Sequence, residues 1–146
     1  TFLVAANQAA GTSGQPGTPL QRLQVIKRWI DDSGQRGERV IDVAGNGTSD
    51  ASVDLSTCAI SGGGSASLCA VWTDQDFDLN QRAAYYTRVV ESPSCRWSQR
   101  LCVAAAVDCR RPKSIGKGYE GCCAPEHRPV IQERAWTSPI WYSPPE

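Results

Sequence analysis

Residues 65–91 read SASLCAVWTDQDFDLNQRAAYYTRVVE, and their pattern decides the fold class. Leu68, Ala70 and Trp72 alternate with small or polar neighbours. Tyr85, Thr87 and Val89 alternate with Tyr86, Arg88 and Val90. A period of two is the mark of a strand that shows one face to a core. Between the two runs, Asp74 to Gln81 is too rich in Asp and Asn to continue either, so it reads as a crossing loop.

Tyr85 stands at the entrance of the second run, two residues after the small Ala83 and four after Gln81. That layout resembles the tyrosine corner of sandwich folds, where a phenol hydroxyl caps backbone groups of the crossing loop. Working outward, Leu20–Ile30 (LQRLQVIKRWI) fits either a helix face or a strand, and its β-branched and aromatic content favours the strand. The turn signal Asp31-Asp32-Ser33-Gly34 and a second alternating run, 38–44, make the pair a hairpin. Asn46-Gly47 marks another turn, 51–58 a further strand, and 61–65 (SGGGS) a loose tip. Thr1–Ala6 (TFLVAA) is a short apolar strand, and 130–142 (VIQERAWTSPIWY) a last one. In that last strand Trp136, Ile140 and Tyr142 are expected on one face and Trp141 on the other. Pro139 lacks a ladder donor, so this strand belongs at an edge or carries a bulge. About seven short strands and no convincing helix predict an all-β, immunoglobulin-like antiparallel β-sandwich.

The organisation expected is an N-terminal strand and flexible linker over 1–19, then a sandwich domain over 20–146 interrupted by a disulfide-rich insertion at 93–129. Gln8–Pro19 is a dozen residues of mostly Gly, Thr, Ser and Pro, long for a connection in a compact domain. The chain of 146 residues can bury roughly 68–70% of its unfolded surface, enough for a two-layer core. Fifteen basic residues balance fifteen acidic ones, so no basic stripe favours nucleic acid or an anionic membrane. No apolar run reaches the length of a membrane-spanning helix. Thr1 in place of an initiator Met is compatible with a processed N-terminus or with a sequence limited to an ordered region.

Seven cysteines without a Cys-x-x-Cys pair point to disulfides in an oxidising compartment rather than to zinc or redox chemistry. Cys58 and Cys69 flank the Gly-rich tip and are expected to bridge it. Cys95, Cys102, Cys109, Cys122 and Cys123 then allow two more bridges, with one thiol left free or bonded to another chain. The neighbours Cys122 and Cys123 are expected to take different partners. His127, the only histidine, sits in PEHRP and suggests an exposed loop; no nucleophile and orienting carboxylate accompany it at triad spacing. Asp74, Asp76, Asp78 and Asn80 start like a calcium loop, but Leu79 replaces the required glycine and Tyr85 the closing Glu, so turn formation is the better reading. Asn46-Gly47-Thr48 is a glycan acceptor sequon on a predicted turn, making Asn46 a glycosylation candidate. The five tryptophans are core or interface anchors first and a sugar-stacking platform second. No catalytic residue, metal ligand or cofactor site is expected.

With VWTDQDFDLNQRAAYYTRVVE, Ser94-Cys95-Arg96-Trp97 and QERAWTSPIWY in view, the chain resembles the C-terminal portion of a bacterial family, the domain of unknown function 3604. The resemblance runs from TFLVAA through PLQRLQVIKRWID to the final WYSP, nearly the whole chain. Long members carry a preceding domain that resembles metal-dependent phosphoesterases, whose metal site would lie upstream of Thr1. No catalytic residue carries over. What the resemblance implies for this stretch is an accessory β-sandwich module.

The expectation is a non-catalytic, secreted structural protein that self-assembles into extracellular fibrils. Thr1–Ala6 can pair in its own sheet, or the Gln8–Pro19 linker can let it reach a neighbouring copy; there Phe2, Leu3, Val4 and Ala5 would form the strand-exchange interface, added to that copy's sheet. The partners are then other copies of the chain and possible glycans. The alternative is an accessory module that binds carbohydrate or a partner protein of hydrolase type.

Overall fold

The computed structural model describes residues 1–31, 33–47 and 50–145. Its centre is a five-stranded antiparallel sheet. Strand β2 (Leu20–Ile30) lies between β3 (Arg36–Gly45) and β5 (Arg82–Glu91). The short strands β6 (Arg134–Trp136) and β7 (Ile140–Tyr142) share the outer edge of β5. A second layer of two strands, β1 (Phe2–Asn7) and β4 (Ser67–Trp72), packs on one face. The fold is all-β and sandwich-like, as its alternation predicts.

The core lies between the layers. Leu23 and Val25 of β2, Tyr85 and Ala83 of β5, Val4 of β1 and Leu68 of β4 are all buried in one cluster. Each lies at an alternate position of its strand, although the central β2 is enclosed on both faces, with Gln24 and Ile26 as buried as Leu23 and Val25. Fully burying side chains of this size contributes roughly 1.5–3 kcal/mol apiece. Trp29, Trp72, Val89 and Tyr142 close the rim.

Between Asp31 and Gln35 the hairpin turns on Gly34, whose φ is +82°. The Asp31 carboxylate accepts hydrogen bonds from the backbone of Ser33 and Gln35, which fixes the turn. Pro139 has both effects expected of it. Trp136 pairs with Arg88 but Ile140 pairs with Tyr85, so the outer strand holds one extra residue across the break. That residue resets the alternation. Ile140 and Tyr142 face the core side with Tyr85 and Ala83, whereas Trp136 shares the opposite face with Trp141; the expected grouping of Trp136 with Ile140 is corrected accordingly.

Three further expectations are corrected. The run 51–58 is a strand only at Ser52–Val53, which pairs with Ile60–Ser61. Asp54 ends it, accepting from the backbone and hydroxyl of Ser56, and Cys58 adopts a positive φ. The Gln8–Pro19 stretch is more ordered than its composition suggests. It folds a small hairpin, Gly11–Thr12 on Gln15–Pro16, and the Gln8 side-chain amide donates to the Gly17 carbonyl at 2.5 Å. Finally, the cysteine-rich insertion contains a helix, α1 (Trp97–Ala104). Its apolar signal is short and Arg96 gives it no side-chain cap, which is why the sequence does not announce it.

The insertion enters and leaves through one two-residue ladder, Ser94–Cys95 on Val130–Ile131. Its bridges are Cys58–Cys95, Cys102–Cys122 and Cys109–Cys123. The neighbours Cys122 and Cys123 thus take different partners. Cys58 does not bridge to Cys69: Cys69 lies on the outward face of β4 between the inward Leu68 and Ala70, and is a free, exposed thiol. Cys58 turns the other way, to the buried Cys95. Three disulfides place the chain in an oxidising setting. Among the described residues, no helix is long and apolar enough to cross a membrane.

Candidate functional site: the seat of the first strand

Strand β1 pairs with β4 along its whole length, from Phe2 opposite Trp72 to Asn7 opposite Ser67. Among the described residues β4 is its only strand partner, so the other edge of β1 is open. Alternation sorts its side chains. Phe2, Val4 and Ala6 point into the core, and the Phe2 ring lies 4.9 Å from Tyr85 and 5.9 Å from Trp72. Leu3 and Ala5 point outward, and Leu3 is 79% exposed. Of the expected exchange residues, then, Phe2 and Val4 hold the strand in its seat, while Leu3 and Ala5 do not contribute burial there. Together with Val71 and Cys69, which they face in register, Leu3 and Ala5 form an exposed apolar strip. A cavity of about 270 Å³ lies against β1, walled on the far side by Thr137, Ser138 and Ile140.

Hydrogen bonds fasten both ends of β1. The Thr1 and Thr73 hydroxyls meet at 2.8 Å, and the Gln8 amide donates to the Ala66 carbonyl at 2.8 Å. Beside the seat lies a buried polar group that sequence reading misses. Lys27 occupies an inward position of β2, between Val25 and Trp29, and its side chain is only 5% exposed. Its Nζ lies 2.5 Å from Asp74 Oδ2 and donates to the Asp76 carbonyl at 2.8 Å, over the rings of Trp29 and Tyr85. Tyr85 donates its hydroxyl to the same Asp74 carboxylate at 2.7 Å. The tyrosine thus fastens the crossing loop, though through a side-chain carboxylate rather than through backbone groups. The one legible signal is a lysine breaking an apolar run at a core-facing position, with an Asp-rich loop to receive it.

Burial works against the charge on Asp74, but hydrogen bonds from Lys27, Tyr85 and the Asp76 amide outweigh it and hold its carboxyl below the ordinary range. Burial first, then the bond to Asp74, pushes the Tyr85 phenol well above its ordinary value. The group is a satisfied ion pair, and it pins the loop over the end of the core.

The remaining candidates resolve as follows. Asp76 pairs with Arg39, Asp74 Oδ1 accepts from the Asp76 amide, and Asp78 Oδ1 accepts from the Asn80 amide. The acidic residues of the loop therefore shape turns and ion pairs. Among the described residues, no three His, Cys, Asp or Glu side chains cluster in a way that could hold a metal ion. His127 is half-buried rather than exposed; its Nε2 donates to Gln99 Oε1 of α1 at 2.8 Å, and Gln99 donates to the Leu55 carbonyl. It ties the insertion together. Asn46 is exposed at the end of β3, and Thr48 of its sequon lies outside the described residues.

No curated protein and no solved structure matches this chain significantly. The model of a family described as protein of unknown function, DUF3604, matches residues 1–144. The match takes in nearly every residue, and the chain belongs to the DUF3604 family.

Proposed function

We propose that this chain is a non-catalytic structural module, secreted and assembled with copies of itself into extracellular fibrils through its first strand. The observation that carries this reading is the seat of β1. Six residues complete one face of the core, hold it by a single edge, and connect to the rest through the Gln8–Pro19 tether. A tether of this length, fully extended, spans about 40 Å, since each residue reaches at most 3.3–3.6 Å. Passing β1 to a neighbour's seat keeps the contacts of the strand itself and opens only the small hairpin of the tether. Donor and acceptor surfaces then differ, so the contact is head-to-tail and open-ended, the symmetry of a filament. Asn46, exposed at the end of β3, is the glycan acceptor on this reading.

Electron microscopy and size-exclusion chromatography of the intact chain test it, beside a chain lacking residues 1–6. The expected result is filaments from the intact chain, none from the shortened one, and restoration of a folded monomer when a peptide of residues 1–7 is added to the latter. Polymers without residues 1–6, or only monomers of the intact chain at every concentration, would overturn the reading.

A further inference from the structure

At the end of the five-stranded sheet the termini of β2, β3, β5 and β7 frame a cleft of about 610 Å³. Register places its lining. Arg36, Ile30 and Arg82 form one cross-strand row. Two residues along, Glu38, Arg28, Ala84 and Trp141 form the next row on the same face. Trp141 is 76% exposed, its indole standing beside a buried alanine, Ala84, instead of packing into a core. The cleft carries three arginines and one glutamate. Arg28 is held by Glu38 through Nε and Nη2. Among the described residues, no carboxylate pairs with Arg36 or Arg82.

We infer that this cleft binds an acidic saccharide, a chain of pyranose rings bearing carboxylates. Three features select that chemistry. An exposed indole offers a flat π face, negative at its centre, to the polarised C–H bonds on one side of a pyranose ring. Two guanidiniums, Arg36 and Arg82, that no described carboxylate pairs offer planar, two-pronged donors to carboxylates. They stand two strands apart, so their backbones are about 9–10 Å from each other, the scale of two linked sugar rings rather than of one small anion. Ile30 lies between them, and the Arg28–Glu38 pair in the next row leaves a fixed carboxylate to accept from sugar hydroxyls. A fully anionic polymer without apolar faces would use the arginines and ignore Trp141, whereas a neutral glycan would do the reverse. The cleft presents both.

The site does not depend on where β1 is seated, because no residue of β1 lines it. The test is titration of the intact chain with oligogalacturonate and, separately, with the matching neutral galactose oligomer, followed by tryptophan fluorescence and calorimetry. Oligogalacturonate is expected to bind saturably and more weakly as salt rises, and the neutral oligomer at least about tenfold more weakly. Trp141→Ala and Arg82→Ala should each weaken oligogalacturonate binding about tenfold, while Arg82→Lys should recover part of the loss. Both positions are exposed, so circular dichroism and thermal unfolding of the variants should match the parent. Absence of saturable binding would overturn the inference. So would equal binding of the neutral oligomer. Loss of affinity with Arg82→Ala but not with Trp141→Ala would reduce the site to general polyanion attraction, which also contradicts it.

Discussion

Replacing Asp74 with alanine should cost the protein much of its stability, although Asp74 belongs to a loop. Its carboxylate is the counter-ion of Lys27, and the two side chains are 6% and 5% exposed. Without it, the Lys27 ammonium keeps only the Asp76 carbonyl and the faces of two rings. Removing one member of a buried pair typically costs 3–5 kcal/mol, because the other charge stays buried without its partner. The Tyr85 hydroxyl loses its acceptor as well. A hydrogen bond to a charged group is worth about 1.5–3 kcal/mol, but the losses overlap in one network and do not add in full. The expected loss is therefore about 3–5 kcal/mol, against a total of 5–15 kcal/mol for ordinary domains. Urea unfolding monitored by tryptophan fluorescence, with disulfides intact, measures it. Combining Asp74→Leu with Lys27→Met should restore most of the loss, since an apolar pair leaves no charge stranded. A loss below about 1 kcal/mol for Asp74→Ala alone, no more than an exposed pair is worth, would refute the argument.

Three more outcomes follow from the same geometry. The Asp74 carboxyl is held below its unfolded value, so its contribution to stability is complete above about pH 4 and is lost as pH falls through the folded pKa; the acid limb of a pH–stability profile should flatten in Asp74→Asn. Phe2→Ala should cost about 2–3 kcal/mol by denaturant unfolding, less than a fully buried Phe, while Leu3→Ala should stay within about 0.5 kcal/mol because Leu3 faces solvent. A maleimide should label Cys69 alone in the native protein, and mild reduction should make the 96–129 segment the first site of proteolysis while the sheet persists, since its two internal bridges close loops of 20 and 14 residues and supply roughly 3 kcal/mol each.

The fold was legible where one face of a strand is buried. Leu68 lies inside between outward-facing neighbours, as its alternation requires, and the missing donor of Pro139 marks an edge or a bulge. Legibility fails where long-range pairing outweighs local pattern. Cys58 and Cys69 are close in sequence, yet β4 turns Cys69 outward and Cys58 reaches a residue 37 positions away. Helix α1 is short, with Cys102 inside it bridged to Cys122 and Cys95 just before it bridged to Cys58, links its own periodicity does not name. Exposure of Leu3 was not legible: Phe2, Leu3 and Val4 are equally apolar, and only the pairing with β4 shows which of them face outward. Nor was the Lys27–Asp74 pair, because the groups that satisfy this core-facing lysine, the Asp74 carboxylate and the Asp76 carbonyl, lie 47 and 49 positions away, beyond its sequence neighbourhood.

The central claim is that the first strand is seated by β4 and can be supplied by another copy. Ala5 and Cys69 are directly opposed in the β1–β4 ladder, and such pairs lie within the Cα separation that a disulfide spans. Ala5→Cys therefore reports, under oxidising conditions, which chain owns the strand in each seat. A ladder of covalent multimers on a non-reducing gel, collapsing to monomer on reduction, is the result the account predicts. A single monomeric band, oxidised and with no free thiol left, would show every strand at home and contradict it.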